Sequence, residues 1–291
     1  MINRNYYCLI AGLPDIVADE KKLSLTSVTF KEMLREDLSK THFELAQLYY
    51  LPYDHKNLLN FLFKKNAEWD EKGNYNKELI EKVSSRKSFK EAELAKEVDM
   101  LPYFLKFLNL FYSEEGIDNY YVAELILTTD YYNYLSESSN KFVKQVADHE
   151  RKVGNVMAAL SGRKYEIQYD NNLIGDDDIT SAIRKSRARD FGISEEFPEL
   201  EELIQIFETE NLVDREYKLD LYKWQYLDEI TFFNYFSIEK ILAYIQKLFI
   251  TERWYSLDKE KGQNMLNKIL EELKSGFKLS DEFTMTYGRK K

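Results

Sequence analysis

Hydrophobic positions recur along this chain at three- and four-residue steps, the period of a helix that buries one face. The clearest run opens at Ser237 and reaches about Tyr255, with Ile238, Ile241, Leu242, Ile245, Leu248 and Phe249 on one stripe. Ser237 stands where an N-cap is expected. A second run, Asn140 to Leu160, puts Val143, Val146, Val153, Met157 and Leu160 on one stripe, and Gly162 is expected to cap its end. Pro52 and Pro102 each sit in a Leu-Pro-Tyr triplet ahead of an apolar run: Leu58, Leu59 and Leu62 after the first, Phe104, Leu105, Leu108 and Phe111 after the second. Proline is tolerated in a first helical turn, where its missing N–H has no partner to lose.

The remaining segments read the same way. Residues 66–75 form a polar loop, and helices are expected over Asn76 to Lys87, Ser88 to Asp99, Leu101 to Tyr112 and Asp118 to Leu135. Arg163 to Leu173 alternates like a strand around Tyr165–Tyr169 and is read as a connection. Asp176, Asp177 and Asp178 open a helix ending in Arg184, Arg187 and Arg189, acid first and base last as the helix dipole favours, with Gly192 as its stop. Pro198 opens a helix carrying Leu200, Leu203, Ile204 and Phe207; another spans Leu212 to Phe233. A last helix is expected over 258–274, with Met265, Leu266, Ile269 and Leu273 inward. The pattern predicts an all-α, multi-helix protein. It is one body over 1–291, with sub-units over 1–135 and 136–276 and a flexible tail over 277–291.

The two strongest helices match each other. Displaced by 102 positions, Val143 falls on Ile245, Val146 on Leu248, Glu150 on Glu252, Arg151 on Arg253 and Val153 on Tyr255. A glutamate interrupts both apolar stripes at the same place. A carboxylate there must be hydrogen-bonded or paired. The expected role is to cap a neighbouring helix or hold an arginine, within duplicated helical units. Coincidence between two amphipathic helices and a pair of catalytic acids are the competing readings.

Composition narrows the function. Only 10 Gly and 4 Pro in 291 residues disfavour turn-rich β folds and Gly-rich phosphate loops. The net charge of −10 disfavours a general nucleic-acid or anionic-membrane binder. Cys8 is alone, which excludes an intramolecular disulfide or a cysteine zinc site, and a cytoplasmic location is the default. No signal peptide is visible, and no stretch approaches the roughly 20 apolar residues of a membrane span. The tyrosine pairs Tyr6-Tyr7, Tyr49-Tyr50, Tyr120-Tyr121 and Tyr131-Tyr132 suit helix seams and interfaces.

No Walker or dinucleotide fingerprint occurs, and His149-Glu150 does not extend to a zinc-protease motif. His42, His55 and His149 are scattered. The aspartates 176–178 lack the spacing of a calcium loop and are expected to be a solvated helix start. The arginines at 184, 187 and 189 would meet an acidic protein partner or finish a helix. No catalytic residue, cofactor or metal is expected.

Two stretches resemble the C (in eukaryotes, d) subunit of rotary V/A-type ATPases. One is Phe236 to Ile245, containing Leu242-Ala243-Tyr244, followed by Lys247 and Glu252. The other is Glu150-Arg151-Lys152-Val153-Gly154-Asn155-Val156, trailed by Arg163-Lys164. Trp254 and Tyr255 stand where the second unit should carry its asparagine. The opening Tyr6 to Asp15 is similar, more closely and along the whole chain, to a bacterial family of uncharacterised proteins encoded beside V-type ATPase subunits. These resemblances imply a funnel of helical repeats coupling the central stalk to the membrane ring during ion transport. The chain would be peripheral to the inner membrane face and held there by protein partners, with no nucleic acid and no direct membrane insertion. Interface candidates are Glu150, Arg151, Asn155, Arg163, Arg184, Arg187, Arg189, Tyr244, Glu252, Arg253 and Trp254. A helical adaptor or regulator unrelated to ATPases is the alternative.

Overall fold

The computed structural model describes residues 6–257 apart from 21, 86–98 and 115. All regular structure among them is helical and no strand occurs there; the connection expected from Arg163 begins only at Glu166, after the helix that runs to Tyr165, and contains a short 3-10 turn, Asp170–Asn172. The helices are α1 (Tyr7–Ala11), α2 (Ser27–Asp37), α3 (Lys40–Gln47), α4 (Leu51–Leu62), α5 (Lys77–Ser84), α6 (Pro102–Phe111), α7 (Tyr120–Ser136), α8 (Lys141–Tyr165), α9 (Asp178–Lys185), α10 (Leu200–Phe207), α11 (Leu212–Ile230) and α12 (Ile238–Ser256). A 3-10 turn, Leu48–Tyr50, joins α3 to α4. The helices expected over Ser88 to Asp99 and 258–274, and the tail 277–291, lie outside the described residues.

Helix starts follow capping chemistry. The side chains of Thr26, Ser39, Asn76, Asn119, Asn140, Asp177 and Asn211 each accept a first-turn backbone N–H. Pro52 and Pro102 occupy the first turns of α4 and α6. Ser237 holds the N-cap position of α12, but its hydroxyl makes no cap bond; Asn234 Nδ2 donates to it instead.

Several boundaries differ from the sequence reading. Gly162 does not end α8, which continues to Tyr165 and closes on Glu166 in the left-handed region at φ 55°. Gly162 is needed because Tyr169 packs against it: a Cβ there would lie 2.3 Å from the tyrosine ring. Helix α9 stops at Lys185, so Arg187 and Arg189 stand in the loop beyond it, and Gly192 (φ 72°) serves a turn. The helix expected from Pro198 starts at Leu200. Helix α11 ends at Ile230, ahead of the aromatic run.

Two hydrophobic clusters hold the helices. The larger gathers Phe30, Leu34, Tyr50, Leu58, Phe104, Leu108, Leu127, Val143 and Leu242 with their neighbours. The smaller gathers Val153, Val156, Phe191, Leu200, Leu203 and Tyr222. Helix α8 belongs to both: Val143 and Val146 lie in the first, Val153 and Leu160 in the second. Helix α11 does the same with Leu227 and Tyr222. Helix α12 serves the first alone, and the N-terminal segment is laid along it. Tyr6 N donates to Phe236 O (2.7 Å), Tyr244 Oη to Pro14 O (2.9 Å), and Thr251 Oγ1 to Val17 O (3.0 Å). No described helix is long and apolar enough to cross a membrane.

Candidate functional site

Glu252 is a helix cap. Its Oε1 accepts the backbone N–H of Ser27 at 2.5 Å and its Oε2 accepts the Ser27 hydroxyl at 2.8 Å. Ser27 is the first residue of α2, whose free N–H groups and positive dipole end suit a carboxylate. Lys72 Nζ completes the arrangement at 2.9 Å, while sitting 4.9 Å from the ring centre of Tyr53. Tyr50 donates to the carbonyl of the same Ser27 at 3.0 Å. With these partners in place the carboxylate is an architectural group.

Glu150 is placed differently. It sits on α8 and lines a cleft of about 240 Å³ together with Tyr49, Tyr53, Tyr131, Tyr132, Lys223 and Phe249 among others. Among the described residues no hydrogen bond or ion pair reaches its carboxylate. Burial raises its pKa above the ordinary carboxylate value, and the nearby Lys223 ammonium opposes that only in part. The Tyr49 hydroxyl is buried without a partner. Burial, reinforced by the charge of Glu150, pushes that phenol well above its usual pKa. The Tyr49-Tyr50 pair therefore faces both glutamates, Tyr49 toward Glu150 and Tyr50 toward Ser27 and Glu252.

The other predicted residues are structural ties. Arg151 Nη1 donates to Ile174 O (2.9 Å) and Thr180 Oγ1 (3.0 Å) and pairs with Asp177 (2.6 Å). Asn155 grips Ile174 at both ends of its amide, Nδ2 to O and Oδ1 to N, each at 2.8 Å. Between these contacts Gly175 takes φ 95°, with Arg151 where a Cβ would stand. Arg163 donates to the carbonyls of Ser186 and Ala188, each at 2.6 Å, and stacks 3.9 Å over the Phe191 ring. Tyr244 anchors the N-terminal segment through Pro14 O.

The basic cluster is dispersed. Arg184 faces Asp176 at 3.5 Å, Arg189 is held by Glu201 and Glu208, and Arg187 projects exposed. Arg253 bridges Asp220 (2.9 Å) and Glu216 (2.6 Å), and Trp254 Nε1 donates to the same Asp220 oxygen. Among the described residues no group of three or more His, Cys, Asp or Glu side chains is arranged to hold a metal ion.

One surface escapes the sequence reading. Between α11 and α12 the loop Thr231-Phe-Phe-Asn-Tyr-Phe-Ser presents Phe232 (63% exposed), Phe233 (83%) and Tyr235 (62%) to solvent. Phe236 and Tyr7 extend the patch, their rings 4.6 Å apart. The loop is internally held: Thr231 Oγ1 donates to Leu227 O (2.6 Å), and Asn234 N to Thr231 O (2.9 Å). Exposed rings on a fixed support are what an interface anchor requires.

The chain belongs to the DUF2764 family. The family model, described as a protein of unknown function, matches residues 3–277, nearly the whole chain. No curated protein and no solved structure matches.

For this DUF2764 chain, periodicity carries no signal for the missed loop: Phe232, Tyr235 and Phe236 stand at three- and four-residue steps, as on one helical face. The hydrophobic pattern absorbs it into the end of the preceding helix because Phe is read as inward by default.

Proposed function

We propose that this chain is a non-catalytic docking subunit of a bacterial rotary V/A-type ATPase. It would act as a coupler of the C (d) type between the central stalk and the membrane ring, serving ion transport from the cytoplasmic side and attached through protein partners. The observation that carries a docking role is the exposed aromatic loop 231–237 with Tyr7. Rings of this kind dominate protein–protein binding energy when a partner desolvates them. The charged candidates support the same reading, because Glu252, Arg151 and Arg253 are spent on internal ties. The choice of an ATPase partner rests on the resemblance of 150–164 and 236–252 to the C (d) family. In this reading, torque passes through packed helices, which resist compression, and no bond is made or broken.

The test is purification of the membrane-bound ATPase from a bacterium that carries this chain. Stoichiometric co-purification, lost in the Phe232→Ala/Phe233→Ala double variant, is the expected result. Repeated absence of the native chain from intact complexes would leave the adaptor reading, in which the same loop binds a partner outside the ATPase.

A further inference from the structure

The geometry points to the Glu150 cleft as a binding site for a small primary alkylammonium ion. Three observations converge. First, six helical elements meet around an open space of about 240 Å³: Tyr49 from the 3-10 turn, Tyr53 from α4, Tyr131 and Tyr132 from α7, Glu150 from α8, Lys223 from α11 and Phe249 from α12. At about 30 Å³ per water, that space suits an amine with a few carbons. Second, Glu150 brings a carboxylate to which no described residue donates. Third, the Tyr49 residue is only 6% exposed and its hydroxyl has no partner. A buried polar atom without a protein partner is open to one from outside the chain, a water or a ligand.

The chemistry selects the ligand. A carboxylate and a phenol oxygen both accept hydrogen bonds, and a primary ammonium offers three donors. Tyrosine rings supply the quadrupole that holds a cation and an apolar wall for its alkyl chain. A quaternary ammonium would leave the acceptors unused. Lys223, which also lines the cleft, is the internal competitor for Glu150, so binding would displace its influence and not add to it. This inference is independent of the docking role: a chain that joins no ATPase keeps the same cleft.

The experiment uses the full chain and n-butylammonium chloride, with n-butanol and sodium chloride at matched concentration as controls. Calorimetry is expected to show saturable binding at one site per chain, accompanied by a raised melting temperature that neither control reproduces. Glu150→Gln should weaken binding by at least about tenfold, and Tyr49→Phe should weaken it less. Lys223→Met, which removes the competitor and leaves Glu150 in place, should tighten it. Absence of saturable binding by the native chain, equal effects from butanol, unchanged affinity in a folded Glu150→Gln variant, or no tightening in Lys223→Met would each overturn the proposal.

Discussion

Glu150 and Glu252 occupy matching positions on matching helices, and the fold treats them in opposite ways. Around Glu252 the chain delivers the start of α2 and the ammonium of Lys72, so the carboxylate is fully engaged. Around Glu150 it delivers tyrosines and open space. The start of a helix also docks on α8, but one turn further along, where Arg151 and Asn155 hold Ile174, Thr180 and Asp177. A charged residue on an apolar stripe signals that something must meet it. The helix itself does not say whether that partner is another part of the chain.

This comparison can be broken most severely at Glu252. Glu252→Ala leaves the Ser27 N–H and Lys72 without their acceptor, and we expect a loss of about 3 kcal/mol in guanidinium unfolding. A loss below about 1 kcal/mol would show that water replaces the carboxylate and that the cap is dispensable. On α8 the equivalent tie is Asn155. Asn155→Ala removes both bonds to Ile174 and should cost about 2 kcal/mol. Hydrogen exchange should rise over residues 174–185 while α12 stays protected; a uniform rise would mean the two clusters open together.

Glu150→Gln should have the contrary sign. The folded state raises the pKa of Glu150, so it holds that proton more tightly than the unfolded chain does. The group therefore costs nothing well below the ordinary carboxylate pKa and destabilises the fold as pH rises through its raised value. The glutamine variant should match the native chain near pH 3 and exceed it in stability at pH 7. Urea titrations at the two values check this, and a gain that grows toward acid would reverse the assignment. The smallest effect on stability belongs to Phe232→Ala/Phe233→Ala. It should stay within about 0.5 kcal/mol of native, because those rings pack on solvent, while partner binding falls.

Much of the fold is legible in the sequence because burial dictates period. The stripes of α8 and α12, the prolines opening α4 and α6, and the polar start at Asp176–Asp178 all follow from local chemistry. Helices α2 and α3 do not stand out, because polar Ser27 and Lys31 share the buried face of α2 with Phe30 and Leu34, and α3 fully buries only Ala46. Gly162 looks like a terminator and is a landing place for Tyr169, a contact the helical period does not encode. The capping role expected of the glutamates holds at Glu252 and not at Glu150 for a related reason. Ser27 lies 225 residues away, and only the fold decides which helix start arrives where.

The most direct measurement is therefore a matched pair. Glu252→Gln and Glu150→Gln make the same chemical change at equivalent positions. Unfolded side by side in guanidinium at pH 7, they should separate cleanly: Glu252→Gln less stable than native by about 2 kcal/mol, Glu150→Gln at least as stable as native. Equal losses in both, or a greater loss at Glu150, would contradict the account.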